Sequence, residues 1–506
     1  MDTDSRPKCF RNLPHEFTCV LTISCAQLLT QASIGNVLAP LHIIGPAIGI
    51  NDRNRLPWTC AAYSLTVGIF ILITGRLGDI FGHKLLFILG FIWYGIFSLL
   101  TGMAAYIRND IYFDIIRAFQ GIGPATVLPN GIALLARAYP AGRRKSLVFA
   151  FFGATAPVGW SMGAVFASIF AQFVWWAWSQ WVLAGACIIL AILAYFIIPT
   201  ELSPAVQPMG KIDIPGAVTG ITGLVLIVYA CNQGPVSGWD KLYVHLPLAL
   251  GFIILGLFIL IEIKTDEPIM PPSLWIAPGF PGVIVCVGLG WSSFGIWNYY
   301  FVQFVEVVRQ KTPLLLCAMF SPTVPAGFVA TILVSQLYHR VAGHYLLMIS
   351  MVAFCTGNAL IATAPVDQTY WLQTFVATLI TPFGMDISFP AASLIVSNSM
   401  PIHQQGVAAS MINTVINLSV SLGLGIAGTV ESQINKNGDN VLKGYRGALY
   451  AGICLSGVGI IVALLFCRVP KPAVSMEKSI ADEEQQVGQV NGPGTEGEGL
   501  EGELSK

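Results

Sequence analysis

The sequence predicts an all-α polytopic membrane protein with fourteen transmembrane helices, and three observations carry that prediction. First, the 506 residues are 55% hydrophobic and only 10% charged, too few polar side chains to coat a soluble globule of this size. Second, apolar windows of membrane-spanning length recur along the chain, separated by short polar turns. Third, the 51 glycines and 30 prolines would break soluble helices, whereas membrane helices tolerate both and use small residues for close packing.

The first window, residues 17–48, follows Arg6, Lys8 and Arg11. It is longer than the apolar core of a signal peptide and lacks a convincing cleavage site, so it reads as a retained span. Windows at 57–75, 85–105, 111–136, 146–173 and 180–198 complete six spans before Pro199. Two more, 214–231 and 244–262, precede a second set of six at 280–305, 317–338, 345–364, 370–397, 405–431 and 446–467. The predicted organisation is a tail over 1–16, a six-helix bundle over 17–199, two additional spans over 200–279, a second bundle over 280–467 and a tail over 468–506. An even number of spans places both termini on one side. That side carries sixteen Lys and Arg residues against nine on the other, so the termini are expected in the cytoplasm.

The remaining composition excludes several function classes. A net charge of zero argues against a nucleic-acid partner. Eleven cysteines without a Cys-x-x-Cys pair indicate neither a disulfide framework nor a metal site. Beyond Pro472 the chain is acidic, glycine-rich and poor in aromatics, which predicts a disordered tail. Trp175, Trp176, Trp178 and Trp181 cluster at a turn and read as an interfacial aromatic belt.

Between the second and third windows lies Gly75-Arg76-Leu77-Gly78-Asp79-Ile80-Phe81-Gly82-His83-Lys84, a charged turn that must sit at a membrane face. Its spacing resembles the signature between spans 2 and 3 of the major facilitator superfamily. Gly75, Leu77, Asp79, Gly82 and Lys84 match, while the basic residue usual after the aspartate is Ile80. The resemblance implies the major facilitator fold, two six-helix bundles here joined by two intervening spans, with a substrate cavity between the bundles near the midplane. It also implies that the motif latches a cytoplasmic gate. Such chemistry is reasonable, because a carboxylate can meet a helix N-terminus and a lysine a helix C-terminus or an acid. A weak internal repeat agrees: Gly82-His83-Lys84-Leu85-Leu86 recurs as Gly343-His344-Tyr345-Leu346-Leu347.

Further motifs refine the resemblance. Arg117-Ala118-Phe119-Gln120-Gly121-Ile122-Gly123 is similar to the family's span-4 motif, whose arginine is implicated in proton movement. Asp114, three residues earlier, lies on the same helical face within pairing reach; the pair could serve proton movement or merely fix two helices. The run Gly153 to Gly163 resembles the antiporter motif in degraded form, with Ala156-Pro157 followed by Trp160-Ser161. Span 1 places Gln31 where fourteen-span drug:proton antiporters usually carry an acid. Together with Asp213-Ile214-Pro215-Gly216, these features resemble the drug:proton antiporter family. Gln27 to Gln31, Asp386 to Ala392 and Gly425 to Glu431 look most like its fungal aminotriazole- and boron-resistance branch.

Asp386 lies about 4 Å from the midpoint of the twelfth window at 1.5 Å per residue. A carboxylate there must face a cavity or a partner, and a protonatable acid at the midplane is what proton coupling needs; the alternative is a structural acid satisfied by a neighbouring helix. Gln31, Asn36, Gln120, Asn130, Trp291, Asn298, Gln303 and Asn413 are, as a set, candidates to line a cavity for an uncharged or weakly polar solute, though each alone is more often an interhelical hydrogen bond or a lipid-interface anchor. Gly423-x-Gly425-x-x-Gly428 spells a dinucleotide fingerprint but lies inside an apolar span with no strand before it, so helix packing explains it. No phosphate-binding loop is present, which disfavours an ATP-driven pump.

The expectation is a non-enzymatic, proton-coupled exporter of drugs, toxic solutes or secondary metabolites. It would be driven by the proton gradient without a cofactor, and would be monomeric in the plasma membrane with lipid, protons and a small solute as its partners. Uptake of a nutrient or metal chelate by the same fold is the alternative. A solute receptor that does not transport ranks third, because the tail after Pro472 is short.

Overall fold

The computed structural model describes residues 7, 9–139, 142–203, 213–265, 268–337, 340–399, 402–435 and 438–467; the tail expected to be disordered beyond Pro472 lies outside them. The described residues form fourteen long helices: α1 (Leu13–Leu38), α2 (Trp58–Phe81), α3 (His83–Ile107), α4 (Asp110–Ala138), α5 (Arg143–Phe173), α6 (Ala177–Ile197), α7 (Ile214–Ser237) and α8 (Leu242–Lys264), then α9 (Phe280–Gln303), α10 (in two pieces, Pro313–Phe320 and Thr323–Leu337), α11 (Gly343–Thr363), α12 (Gln373–Ser399), α13 (Ile402–Asn435) and α14 (Val441–Phe466). Thirteen helical segments are long and apolar enough to cross a membrane. The fourteenth, α4, falls short on hydropathy, because even its uncharged stretch 118–135 carries Gln120, Pro124, Pro129 and Asn130. Its 29 residues nonetheless reach about 44 Å, and it packs between α2 and α3 with Arg117, Gln120 and Asn130 fully buried.

Two sequence expectations need correction. The first window is not one helix: α1 ends at Leu38 and a short helix, Leu41–Ala47, follows, since Pro40 has no amide to continue the ladder. Nor do residues 75–84 form a turn. Helix α2 continues through Phe81, and only Gly82 breaks it, at φ +93°. Charged residues at a membrane face can stay helical while their side chains reach water.

Small residues set the packing. A Cβ on Gly35, Gly159 or Gly163 would lie 2.3, 2.2 or 2.1 Å from the carbonyl oxygens of Trp160, Leu28 and Ala32, so α1 and α5 touch backbone to backbone. Gly159 and Gly163 of the antiporter-like run thus serve a helix seam. Gly423 abuts Ser292 of α9 and Gly425 abuts Cys231 of α7, which accounts for the glycine run of α13 as close packing. Helix α7 rests on α13 and α2, and α8 packs on α7 across Gly223 and Gly251. Phe252, Ile253 and Leu260 of α8 stay exposed, as suits a surface solvated by lipid tails.

Helices α1–α6 pack mainly on one another, as do α9–α14, and the two sets meet where α2 crosses α13 and α5 crosses α10. On the side opposite the termini, a single apolar cluster draws on both sets: Leu41, Trp160 and Trp176 from the first, with Trp297, Phe301 and Phe320 from the second. Trp160 stacks on Phe320 at 3.8 Å between centroids, a contact worth about 0.5–1.5 kcal/mol beyond its buried area. Toward the terminal side, the buried cores of the two sets are separate. The molecule is therefore closed on the far side. Trp176 belongs to this closure, edge-on to Phe113, so only its neighbours, such as exposed Trp178, remain available to an interfacial belt.

Candidate functional site

The glycine motif fastens the terminal ends of four helices. Lys84 Nζ donates to the carbonyl of Ile198 at 2.6 Å, and the Lys84 amide donates to Ser203 Oγ at 2.8 Å. The lysine thus meets the C-terminus of α6, where a cation is favoured. Asp79 faces His83 at 3.3 Å and Arg137 at 3.6 Å, rather than a helix N-terminus. Gly75 lies against Pro129, Leu77 is half-buried, and a Cβ at Gly82 would reach the Ser203 carbonyl at 3.0 Å. Asn130 completes the motif: its amide donates to the carbonyls of Thr74 and Thr126, and its oxygen faces His83 Nδ1 at 2.8 Å. Asn130 is thereby bonded within the first helix set.

Arg117 is completely buried. Its Nε donates to the Thr59 carbonyl at 3.2 Å, and its Nη1 to Ser33 Oγ at 2.8 Å and Gln120 Oε1 at 2.6 Å. The guanidinium lies 4.3 Å from the centre of the Tyr63 ring. Gln120, itself buried, passes the network on to Ser98 at 2.7 Å. Helical spacing suggested a pairing of Arg117 with Asp114, and the structure does not make it. Asp114 Oδ1 is buried without a partner, and Arg55 instead bridges Asp110. Arg117 holds a charge in the core through dipoles and a ring face alone, which requires each donor to be satisfied.

Asp386 occupies a different place. A Cβ built on Gly327 of α10 would lie 2.8 Å from Asp386 Oδ2 and 3.5 Å from Pro157 Cγ of α5, so the carboxylate stands where the two helix sets meet. Asp386 Oδ2 is buried and accepts no hydrogen bond. No basic side chain pairs with it among the described residues, and Arg117 has all its partners elsewhere. Two residues on, Ser388 Oγ accepts from Trp291 Nε1 at 3.1 Å.

The other polar candidates scatter. Asn36 donates to the Ser179 carbonyl at 3.2 Å within the first helix set. Asn298 and Gln303 are buried in α9, with Asn298 Oδ1 unpartnered. Asn413 is half-buried and donates to the Ala409 carbonyl one turn back. Gln31 is half-buried without a hydrogen bond to another described residue. The sequence reading passed over four buried acids, of which Glu262 accepts from the Ile269 and Met270 amides. Glu16 binds Arg144 and Tyr139, Glu431 accepts from Tyr300 at 2.6 Å, and Glu306 meets His42 at 2.8 Å. Glu306 and Glu431 fall at the edges of apolar windows, where an acid resembles an ordinary loop residue.

Two sets of six helices with two further helices between them in the chain, an interhelical acid and the glycine motif define a membrane transporter. The chain belongs to the Major Facilitator Superfamily, whose family model matches residues 23–424 and 326–492. It is 49% identical over 468 residues to a low affinity ammonium transporter of Saccharomyces cerevisiae, covering 92% of this chain and 90% of that one. It is 40% identical over 481 residues to the efflux pump terJ of Aspergillus terreus, covering 94% and 92%. The aminotriazole resistance protein of Saccharomyces cerevisiae is 36% identical over 464 residues, covering 91% and 86%, which agrees with the fungal branch the motifs resemble. A transporter of the POT family, solved with a conjugated peptide, superposes with a TM-score of 0.64 at 14% identity over 88% of this chain and 94% of that one; that likeness concerns the fold.

Proposed function

We propose that this protein is a secondary transporter that exports small molecules by alternating access, driven by protons that load and leave Asp386. The carrying observation is the unpartnered carboxylate oxygen of Asp386 between α10 and α5. An acid inside the membrane is costly unless it serves an ion pathway, and one set between the moving bodies changes its surroundings as they rock. In this reading, residues 17–199 and 280–467 are the two bundles, 200–279 supplies α7 and α8, and Arg117 is a fixed charge that biases the proton path from the first bundle. The glycine motif around Asp79 and Lys84 closes the terminal side in the opposite conformation. Asp114 is a secondary proton site. Both termini lie in the cytoplasm, and the monomer works in the plasma membrane. Efflux relatives support export.

The ammonium-transporting relative favours a second reading, in which Asp386 holds a small monovalent cation instead of a proton. Proteoliposomes with imposed pH gradients, offered labelled methylammonium, aminotriazole and a lipophilic cationic dye, separate the two. Concentration of aminotriazole or dye that collapses with the pH gradient supports proton-coupled export. Saturable flux of methylammonium alone, independent of that gradient, supports the second.

A further inference from the structure

Among the ionisable contacts that cross between the two helix sets on the closed far side, one joins a histidine to a buried acid and is left unused by the proposed coupling path. His42, on the short helix after α1, places Nδ1 2.8 Å from Glu306 Oε2 at the end of α9. The His42 side chain is 40% exposed while that of Glu306 is 1% exposed, so the histidine reaches water and the carboxylate does not. Glu306 Oε1 is buried with no partner, which leaves His42 as its sole source of positive charge among the described residues.

Local backbone geometry explains why. Helix α9 continues as a π-turn, Phe304–Val308, with the Arg309 amide donating to the Phe304 carbonyl at 3.0 Å. Such turns interrupt α-helices and frequently mark functional sites. In a regular helix Arg309 would face Glu306 from one turn on. Instead it swings away and donates to Thr374 Oγ1 and the Pro365 carbonyl, each at 2.9 Å. Other ionisable groups around the pair are also engaged or turned out. Cys317 of α10 bonds Ser168 of α5 at 3.3 Å, Arg446 of α14 donates to the Ala364 carbonyl, Tyr300 of α9 is bound to Glu431, and Lys311 is exposed.

We propose that His42 and Glu306 form a second proton site, a latch that holds the far side shut while His42 is protonated and lets it open when that proton leaves. The inference rests on the alternating-access reading, since only a far side that opens needs a latch. Opening must part the two residues, because they belong to different helix sets. The bond to Glu306 raises the pKa of His42, against a smaller opposing effect of burial. By linkage, the closed state binds this proton more tightly than the open one. That stabilisation is complete below the ordinary histidine value near 6.5 and is lost as far-side pH rises through the raised value.

The reporter is Cys317, buried behind the latch, whose labelling by a membrane-impermeant maleimide on the far side is read peptide by peptide in the full-length protein. His42→Lys keeps a charge that does not titrate near neutrality. Comparing wild type with this variant at each pH removes the titration of the thiol itself. The expected ratio of wild-type to His42→Lys labelling is near one at pH 5.5 and rises to about tenfold at pH 8.5, one unit of differential proton affinity. Glu306→Gln should label faster than wild type at pH 5.5, and adding His42→Gln to it should change nothing further. Labelling that ignores both His42→Lys and Glu306→Gln overturns the latch and leaves alternating access standing. Absence of labelling in every variant, with transported solute present, overturns both.

Discussion

Arg117 is a cation in the membrane core with no carboxylate against it, held by Ser33, Gln120, the Thr59 carbonyl and the face of Tyr63. That set matches the planar fork of a guanidinium and not the compact ammonium of lysine. Arg117→Lys should therefore keep the charge yet lose one or two buried hydrogen bonds, about 1–3 kcal/mol, read as a lower unfolding temperature in detergent with insertion preserved. An unchanged temperature would mean that the fork geometry is unimportant. Residue identity told part of this in advance: an arginine inside an apolar window marks a special position. Which partner it takes could not be read from spacing. Asp114 at i−3 was the natural candidate, but Ser33 and Thr59 on other helices won because a buried charge recruits whatever donors and acceptors the fold brings.

At the scale of elements, the glycines of α5 divide into two kinds that the sequence does not distinguish. Gly163 sits 2.1 Å, measured from a Cβ, off the Ala32 carbonyl, whereas Gly153 has nothing within 4 Å. Gly163→Leu should wedge α1 from α5 and stop the protein accumulating in the membrane. Gly153→Ala should accumulate as wild type does, since no neighbour has to move. Quantitative membrane immunoblots of the two variants check this, and equal accumulation would refute the seam. Helix number and order were legible because apolar length is a local signal. Helix α4 shows the limit, as its polar residues lower its hydropathy although neighbouring helices bury Arg117, Gln120 and Asn130. The helical course of residues 75–81 and the π-turn at Phe304 were hidden for a related reason, since glycine and charge read as loop signals while tertiary packing decided otherwise.

At the scale of the whole molecule, one shared apolar cluster on the far side and separate cores on the terminal side are what one stage of the proposed rocking cycle would have. Its orientation follows from the sixteen-to-nine division of basic residues: the turn at Arg143 to Lys145 should be labelled through inserted cysteines only after the cytoplasmic face is exposed. Labelling there from outside intact cells would invert the topology. Charge counting yields an expectation of sidedness, whereas which end is closed depends on Trp160 meeting Phe320 across some 160 residues, which no local pattern encodes. The central claim, that Asp386 couples proton movement to transport, is tested most directly by Asp386→Asn in proteoliposomes with an imposed pH gradient. This variant keeps the side chain's size and removes its titration. The account predicts that wild type concentrates labelled solute against its gradient, while the variant exchanges solute without concentrating it. An Asn variant that still concentrates solute with normal pH dependence would contradict it.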